Sequence, residues 1–428
     1  MKILIIGSGG REHAILWALR NSAPGLDLYC APGNAGIEDY ATTVSIPVGD
    51  HVALARFVED EEINLTFVGP EAPLVAGLVD FFEGKNLPIV GPSAAAARLE
   101  GSKVFAKDFM ARNKIPTAVY RVAESPAEAL QILQSGVFGS FDSPVVVKAD
   151  GLAAGKGVVV ASSRGEAEAA ITDLMVNHLA GAEAASRVVL EEALVGVEAS
   201  VLLFADGKDF VLMPAARDHK RIGENDTGPN TGGMGSITAD DLLSEELLNH
   251  VVAEMIEPTL EGATREGFPF KGVLFLGLML TEAGPKLLEY NVRFGDPETQ
   301  AILIRLKTDL FALFEAMRVG ELAKLKVDWE QGASACVIAA NRGYPGKYET
   351  GGVITGLDQL GKDKVEVFHA GTSFSPDGQV TATGGRVIGV TSKAANLPEA
   401  LANCYRALER IHWPGMQFRR DIGKVRGN

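Results

Sequence analysis

The first hundred residues constrain the fold most. Short apolar runs there end in glycine- or proline-bearing loops and alternate with helical segments. Ile3–Ile6, Leu26–Cys30, Leu65–Val68 and Ile89–Val90 read as strands; Glu12–Arg20, Val52–Asp60 and Pro73–Phe82 read as helices. Apolar strands separated by helices predict a parallel sheet covered on both faces. Ligands of such sheets bind beyond the carboxyl ends of the strands. Gly7-Ser8-Gly9-Gly10, Ala31-Pro32-Gly33-Asn34-Ala35-Gly36, Gly69-Pro70-Glu71 and Gly91-Pro92-Ser93 all fall on that edge.

Gly7-Ser8-Gly9-Gly10-Arg11-Glu12 does not complete a dinucleotide fingerprint. Glu12 stands where the third glycine belongs, and Cys30-Ala31-Pro32-Gly33 replaces the ribose-gripping acid after the second strand. No nicotinamide cofactor is expected. The turn either offers N–H groups to a phosphate or sugar, or is only a tight strand–helix turn.

Further on, Ser102–Arg112 and Pro126–Gln134 read as helices. Val145–Lys148 and Gly157–Ala161 read as strands, and Val188–Glu191 leads into Ala199–Phe204 as if in one antiparallel sheet. Gly272–Leu280 and Lys286–Asn291 form a predicted hairpin. Thr308–Val319 is helical, and Cys336–Ala340 and Val387–Thr391 precede a helix near Pro398–Ile411. At 428 residues the chain is too long for one core, so several domains are expected.

Charge and cysteine use exclude whole classes of function. The net charge of −15 argues against a nucleic-acid partner. No apolar window is long enough to span a membrane, and the N-terminal run reads as a strand rather than a leader. Cys30, Cys336 and Cys404 show no paired spacing, so neither a zinc site nor a disulfide framework is expected and a cytoplasmic setting fits.

Two segments carry candidate chemistry. Lys148 to Gly157 joins two strands and lacks P-loop spacing; it is either a flap that brings Lys148, Lys156 and loop N–H groups onto a triphosphate, or a surface hairpin. In Leu287–Glu298, alternation places Glu289, Asn291 and Arg293 on one face and Leu288, Tyr290 and Val292 on the other. A carboxylate beside an amide oxygen suits Mg²⁺, and Arg293 suits a carboxylate or a phosphoryl group; the alternative is the polar side of an edge strand. Residues 216–221 and 226–235 add a dense polar loop, either an active-site loop or a disordered insert, with its mixed charges and Asn/Thr donors favouring ligand binding; His219 in it is read as a surface histidine, with a general base as the alternative.

Taken in order, these segments resemble the glycinamide ribonucleotide synthetase family of the ATP-grasp superfamily along the whole chain. The resemblance rests on Gly9-Gly10-Arg11-Glu12-His13-Ala14, Pro32-Gly33-Asn34-Ala35-Gly36, Gly69-Pro70-Glu71-Ala72-Pro73-Leu74, Gly101-Ser102-Lys103 and the run from Lys148 to Gly157. Asp218-His219-Lys220-Arg221, Gly228-Pro229-Asn230-Thr231-Gly232-Gly233-Met234-Gly235, Arg293-Phe294-Gly295-Asp296-Pro297-Glu298-Thr299-Gln300, Gly343-Tyr344-Pro345-Gly346 and His369-Ala370-Gly371-Thr372 continue it.

The resemblance implies a mixed α/β and α+β multidomain chain. Residues 1–103 would be a parallel-sheet pre-ATP-grasp substrate domain, 104–325 a two-lobed ATP-grasp unit with a mobile lid at about 122–190, and 326–428 a small mixed C-terminal domain. It implies a C–N bond-forming ligase of purine synthesis that joins glycine to 5-phosphoribosylamine at the expense of ATP, through glycyl phosphate, as a cytoplasmic monomer using Mg²⁺ or Mn²⁺. Carried over by position, Lys103, Lys148 and Lys156 would hold ATP phosphates. Glu191, Glu192 and Leu194 would read adenine, and Glu198 the ribose. Glu289 and Asn291 would hold the metal, with Arg293 and Asp218 as the catalytic pair at glycine. Gly9, Gly10, Asn34, Glu71, Lys347 and Arg386 would bind phosphoribosylamine. Arg217 stands where many members have glutamine, and Ser236-Ile237-Thr238-Ala239-Asp240 replaces a common tyrosine- and proline-bearing run. The strand before Glu289 offers no second acidic ligand in Val273-Leu274-Phe275-Leu276.

Overall fold

A computed structural model describes residues 1–153, 157–179, 181, 184–361 and 364–424. Its first unit is a five-stranded parallel sheet ordered Thr42–Thr43, Asp27–Pro32, Lys2–Gly7, Leu65–Val68, Ile89–Val90. Both faces are covered because the central strand is apolar throughout: Ile3 and Ile5 enter one core, Leu4 and Ile6 another. The expected Pro73–Phe82 helix is instead two, Glu71–Val75 and Leu78–Glu83. They part at Gly77, whose φ of 81° is left-handed and ends the first helix.

A small lobe follows, with an antiparallel sheet ordered Tyr120–Ala123, Val188–Glu192, Val145–Ala149, Val158–Ala161. Helices Pro126–Gln134 and Arg164–Ile171 close its separate core around Leu133, Val147, Ala167 and Leu190. The sequence places Val188–Glu191 and Ala199–Phe204 in one sheet, and the structure does not. Val197–Asp206 pairs with Lys271–Thr281 in a larger sheet, so residues 193–196 cross from lobe to body.

That larger sheet has ten strands. Its main path runs Gly284–Asn291, Lys271–Thr281, Val197–Asp206, Ala216–Asp218, Gly235–Ala239, Ala333–Asn341, Arg386–Ala394, Glu366–His369. Strands from before and after residue 326 are thus hydrogen-bonded neighbours, with Ser236 opposite Cys336. Helix Leu397–Leu408 buries Ala400, Cys404 and Ala407 at helical spacing, in one cluster with Ile237 and Val337. Among the described residues no helix is long and apolar enough to cross a membrane.

The N-terminal unit meets the C-terminal residues through buried histidines. The His369 amide donates to His13 Nδ1 at 2.9 Å, and Asn34 Nδ2 donates to the His369 carbonyl at 2.8 Å. Burial, then the neighbouring His369, pushes His13 down to about 3; burial pushes His369 down to about 4. Both rings are therefore neutral in the fold and become protonated only on unfolding through most of the pH range 6.5 to 4. The unfolded state then binds more protons, so stability is present above the unfolded value of 6.5 and falls as pH drops below it. Denaturant titration of His13→Asn should show a shallower fall between pH 6 and 4, by about 1.4 kcal/mol per pH unit. An unchanged slope would mean that His13 is not held neutral.

Candidate active site

A cavity of about 860 Å³ lies between the lobe, the large sheet and the N-terminal unit. Its metal-ligand candidates sit on the Gly284–Asn291 strand, where alternation is broken. Gly277 pairs with Glu289 but Leu278 pairs with Leu287, so Leu288 is the extra residue of a bulge. The expected alternation turns Leu288 and Tyr290 away from the site; in the structure Leu288, Glu289, Tyr290 and Asn291 all line the cavity. The Leu288 carbonyl accepts from Lys148 Nζ at 3.3 Å, so the bulge also seats the lobe's lysine.

Burial alone would raise the Glu289 carboxyl. Lys220 first, then Lys148, Lys103 and Arg293, outweigh it and hold Glu289 at about 2. Lys220 Nζ is 3.7 Å from Glu289 and 2.9 Å from Glu198. Glu289 is thus a carboxylate ringed by cations that each also meet a second acid, Lys220 with Glu198 for one. Among the described residues no cluster of three or more His, Cys, Asp or Glu could hold a metal. Two oxygens, from Glu289 and Asn291, nevertheless fit an ion that keeps several waters and takes its remaining ligands from phosphates.

Arg293 is locked on three sides. It donates to Glu100 at 2.8 Å, to Asn291 Oδ1 at 3.1 Å and to Glu71 at 3.3 Å. Glu100 also accepts from the Val292 amide at 2.7 Å. Burial, only partly opposed by Arg293, raises the Glu100 carboxyl. Glu100 escapes sequence reading because an acid near a helix end looks solvated; only the fold shows it beneath Arg293.

The nucleotide side is built around Glu191, which bridges Lys148 at 3.0 Å and Lys107 at 3.1 Å. Burial, against the pull of Glu191, brings Lys107 down to about 8. Lys107 is missing from the sequence reading, though a signal exists: it lies one turn after Lys103 on helix Lys103–Arg112, and both line the cavity. Asp150 ties the lobe to that helix, accepting from Ser102 Oγ at 2.7 Å and from the Val104 amide at 2.9 Å. Glu192 and Leu194 line the cavity at the lobe crossing, with Glu198 on the adjoining strand. Arg217 donates to the Glu198 carbonyl at 3.2 Å. Lys156 lies outside the described residues.

Across Arg293, Asp218 and Glu298 line the same cavity. Burial, then Glu298, raises the Asp218 carboxyl well above its ordinary range, and burial also raises Glu298. Glu298 went unrecognised as a site group because it stands inside a motif read only as a family marker. His219 is a correction: it is 4% exposed, not a surface residue.

The N-terminal glycine loop is already filled. Glu12 accepts from the Gly9 amide at 2.6 Å, and a Cβ on Gly69 would lie 1.9 Å from the same carboxylate. Glu12 thus occupies the crevice between Gly7, Gly9 and Gly69, where a pyrophosphate would otherwise approach. Glu71 lines the cavity, whereas Gly9, Gly10 and Asn34 are outside it. Asn34 spends its amide on the Ser8 and His369 carbonyls. Arg386 is engaged with Asp296 and with the carbonyls of Gly232 and Gly233, and Lys347 is exposed outside the cavity.

Comparison with known proteins agrees with this architecture. Residues 1–100 match the phosphoribosylglycinamide synthetase N domain, 101–299 its ATP-grasp (A) domain and 334–425 its C domain. A phosphoribosylamine–glycine ligase of Brucella melitensis is 48% identical over 99% of this chain and 97% of its own. The crystal structure of the Thermotoga maritima phosphoribosylamine–glycine ligase superposes with a TM-score of 0.83 at 34% identity, covering 98% of this chain and all 100% of that one. The biotin carboxylase domain of Hydrogenobacter thermophilus 2-oxoglutarate carboxylase, at 16% identity and a TM-score of 0.71 over 97% of this chain and 91% of that one, shares the fold. The chain belongs to the phosphoribosylglycinamide synthetase family, whose ATP-grasp core it carries.

Proposed function

We propose that this protein joins glycine to 5-phosphoribosylamine, converting ATP to ADP and phosphate and yielding glycinamide ribonucleotide in purine synthesis. The observation that carries the reading is the juxtaposition in one cavity of a cation ring around Glu289 with Arg293, Asp218 and Glu298. Such a site can bring two anions together, the glycine carboxylate and the γ-phosphate, that would repel in a dry cleft.

In this reading Lys103, Lys148 and Lys220 neutralise the phosphates, and Lys107 steadies Lys148 through Glu191. Glu191, Glu192 and Leu194 meet adenine, and Glu198 meets the ribose. Glu289 and Asn291 would hold Mg²⁺ or Mn²⁺, which supplies charge neutralisation of the phosphates when bound. Arg293 orients the glycine carboxylate, and Asp218 with Glu298 receives the ammonium. A glycine carboxylate oxygen attacks the γ-phosphorus and ADP leaves. The amine of phosphoribosylamine then attacks the acyl carbon, the C–O bond to phosphate breaks, and the amine's proton passes to the departing phosphate or to solvent. Residues 1–103 hold the phosphorylated amine, 104–325 grip ATP with 122–190 as lid, and 326–428 close the site. The enzyme acts as a cytoplasmic monomer; its buried thiols suit a reducing compartment.

ADP formation should require glycine and phosphoribosylamine together. With ¹⁸O in the glycine carboxylate, one label per turnover should appear in inorganic phosphate. Phosphate free of label would rule out glycyl phosphate. A second expectation concerns pH. Glu298→Gln removes one cause that raises Asp218, so the acid limb of kcat/KM for glycine should move to lower pH. An unmoved limb would separate Asp218 from glycine binding.

A further inference from the structure

The loop that carries Asp218 is held from the far end of the chain. Arg419, 2% exposed, forks onto Asp421 with two bonds of 2.8 Å. Its remaining donors reach the Arg221 carbonyl and Asp226, each at 2.9 Å. Asp421 accepts from the Asn225 amide at 2.7 Å, and Glu224 accepts from the Arg420 amide at 3.1 Å. The hairpin Arg221–Gly223 with Thr227–Asn230 is therefore pinned at the start of its first strand and through its turn, Glu224 to Asp226.

Four residues on, the Gly423 amide donates to His219 Nε2 at 3.0 Å, while His219 Nδ1 lies 3.2 Å from the Gly235 carbonyl. A carbonyl can only accept and an amide can only donate, so the ring is neutral with its proton on Nδ1. The His219 amide donates to Asp218 Oδ1 at 2.7 Å, so the ring's anchor is one residue from the site carboxylate. Lys424 itself lines the cavity.

We propose that Arg419–Lys424 is a clasp that sets the Asp218–Gly235 loop, with Arg419 and His219 acting as positioning residues for the amino-acid substrate. The kinetic part rests on the glycine-ligation reading; the conformational part does not.

The test uses the full chain with His219→Ala and His219→Gln, and a chain ended after Phe418. His219→Ala should lower kcat/KM for glycine about 30-fold, the scale of a loop misplaced by less than an ångström. Binding of AMP should stay within about threefold, because the adenine side of the cavity at Glu191–Leu194 does not touch the clasp, whereas triphosphate affinity also draws on Lys220 within the loop. The glutamine side chain can still accept from Gly423, so His219→Gln should recover most of the loss. Without substrate, amide exchange across 218–235 should accelerate about tenfold or more in the chain ended after Phe418. Folded His219→Ala protein with unchanged glycine kinetics, or one that loses AMP and glycine affinity in parallel, overturns the proposal. So does unchanged exchange in the shortened chain; if that chain does not fold, the alanine–glutamine pair decides. Absence of glycine-dependent ADP in the unaltered protein would instead defeat the ligation reading and leave the exchange result standing.

Discussion

Glu289→Gln should cost about 10³-fold in kcat, roughly 4 kcal/mol of transition-state stabilisation, with little change in melting temperature. The substitution keeps the side chain's size and one oxygen and removes only the charge. That charge is what Lys220, Lys148, Lys103 and Arg293 hold ionised, at about 2, against burial. Without it the cations lose their common counter-ion and the Asn291 oxygen has no charged partner for a metal. The fold should tolerate the change because the side chain is 35% exposed and fills no apolar core. The check is kcat across a Mg²⁺ titration, beside a thermal melt. A folded Glu289→Gln protein within tenfold of the original kcat at limiting Mg²⁺ would remove Glu289 from the metal site.

Arg293→Met should do double damage. Arg293 is the cation over two carboxylates, and its loss leaves Glu100, whose side chain is 8% exposed, without its ion-pair partner and with only the more distant Arg11 as counter-charge. Breaking a buried pair from one side costs about 3–5 kcal/mol. Glu100 is already raised by burial, so taking up a proton can soften the loss. Adding Glu100→Gln should therefore restore most of the stability. Activity should stay down by about 10²-fold or more in both variants, because neither has a group to orient a substrate carboxylate. Stability recovering in the double variant without activity would separate the two roles of Arg293. Activity recovering with stability would make the arginine purely structural.

What could be read from the chain follows the reach of each interaction. Leu65–Val68, Ile89–Val90 and Pro126–Gln134 have the bounds that their residues imply, because an apolar run or a Ser–Pro helix start is a local signal. Asp218, Glu289 and Asn291 reach one cavity from stretches with several polar residues, and Lys148 reaches it as the one charge of the apolar strand Val145–Ala149. The misses arise where distant partners decide. The bulge at Leu288 answers to the facing strand, not to its own alternation. The two sheets on either side of residues 193–196 have similar apolar strands, so nothing local separates them. His219 looks solvated among charges until Arg419–Lys424, two hundred residues on, covers it. Glu12 reads as the flaw in a glycine fingerprint; in space it is the carboxylate that fills the crevice.

The ten-stranded sheet bears on how such a chain can be cut or recombined. Strand Gly235–Ala239 has Ala333–Asn341 as its neighbour on one side, paired over its whole length. A chain ended at residue 325 would present that strand as a bare edge, with Ser236 and Thr238, now fully buried, turned to water. Unpaired edges of this kind recruit other chains. The first 325 residues made alone should therefore aggregate or bind the missing piece supplied separately, and successful breakpoints for splitting or permuting this protein should fall outside the sheet. The C-terminal quarter is in that sense an inseparable part of the catalytic body rather than a portable module.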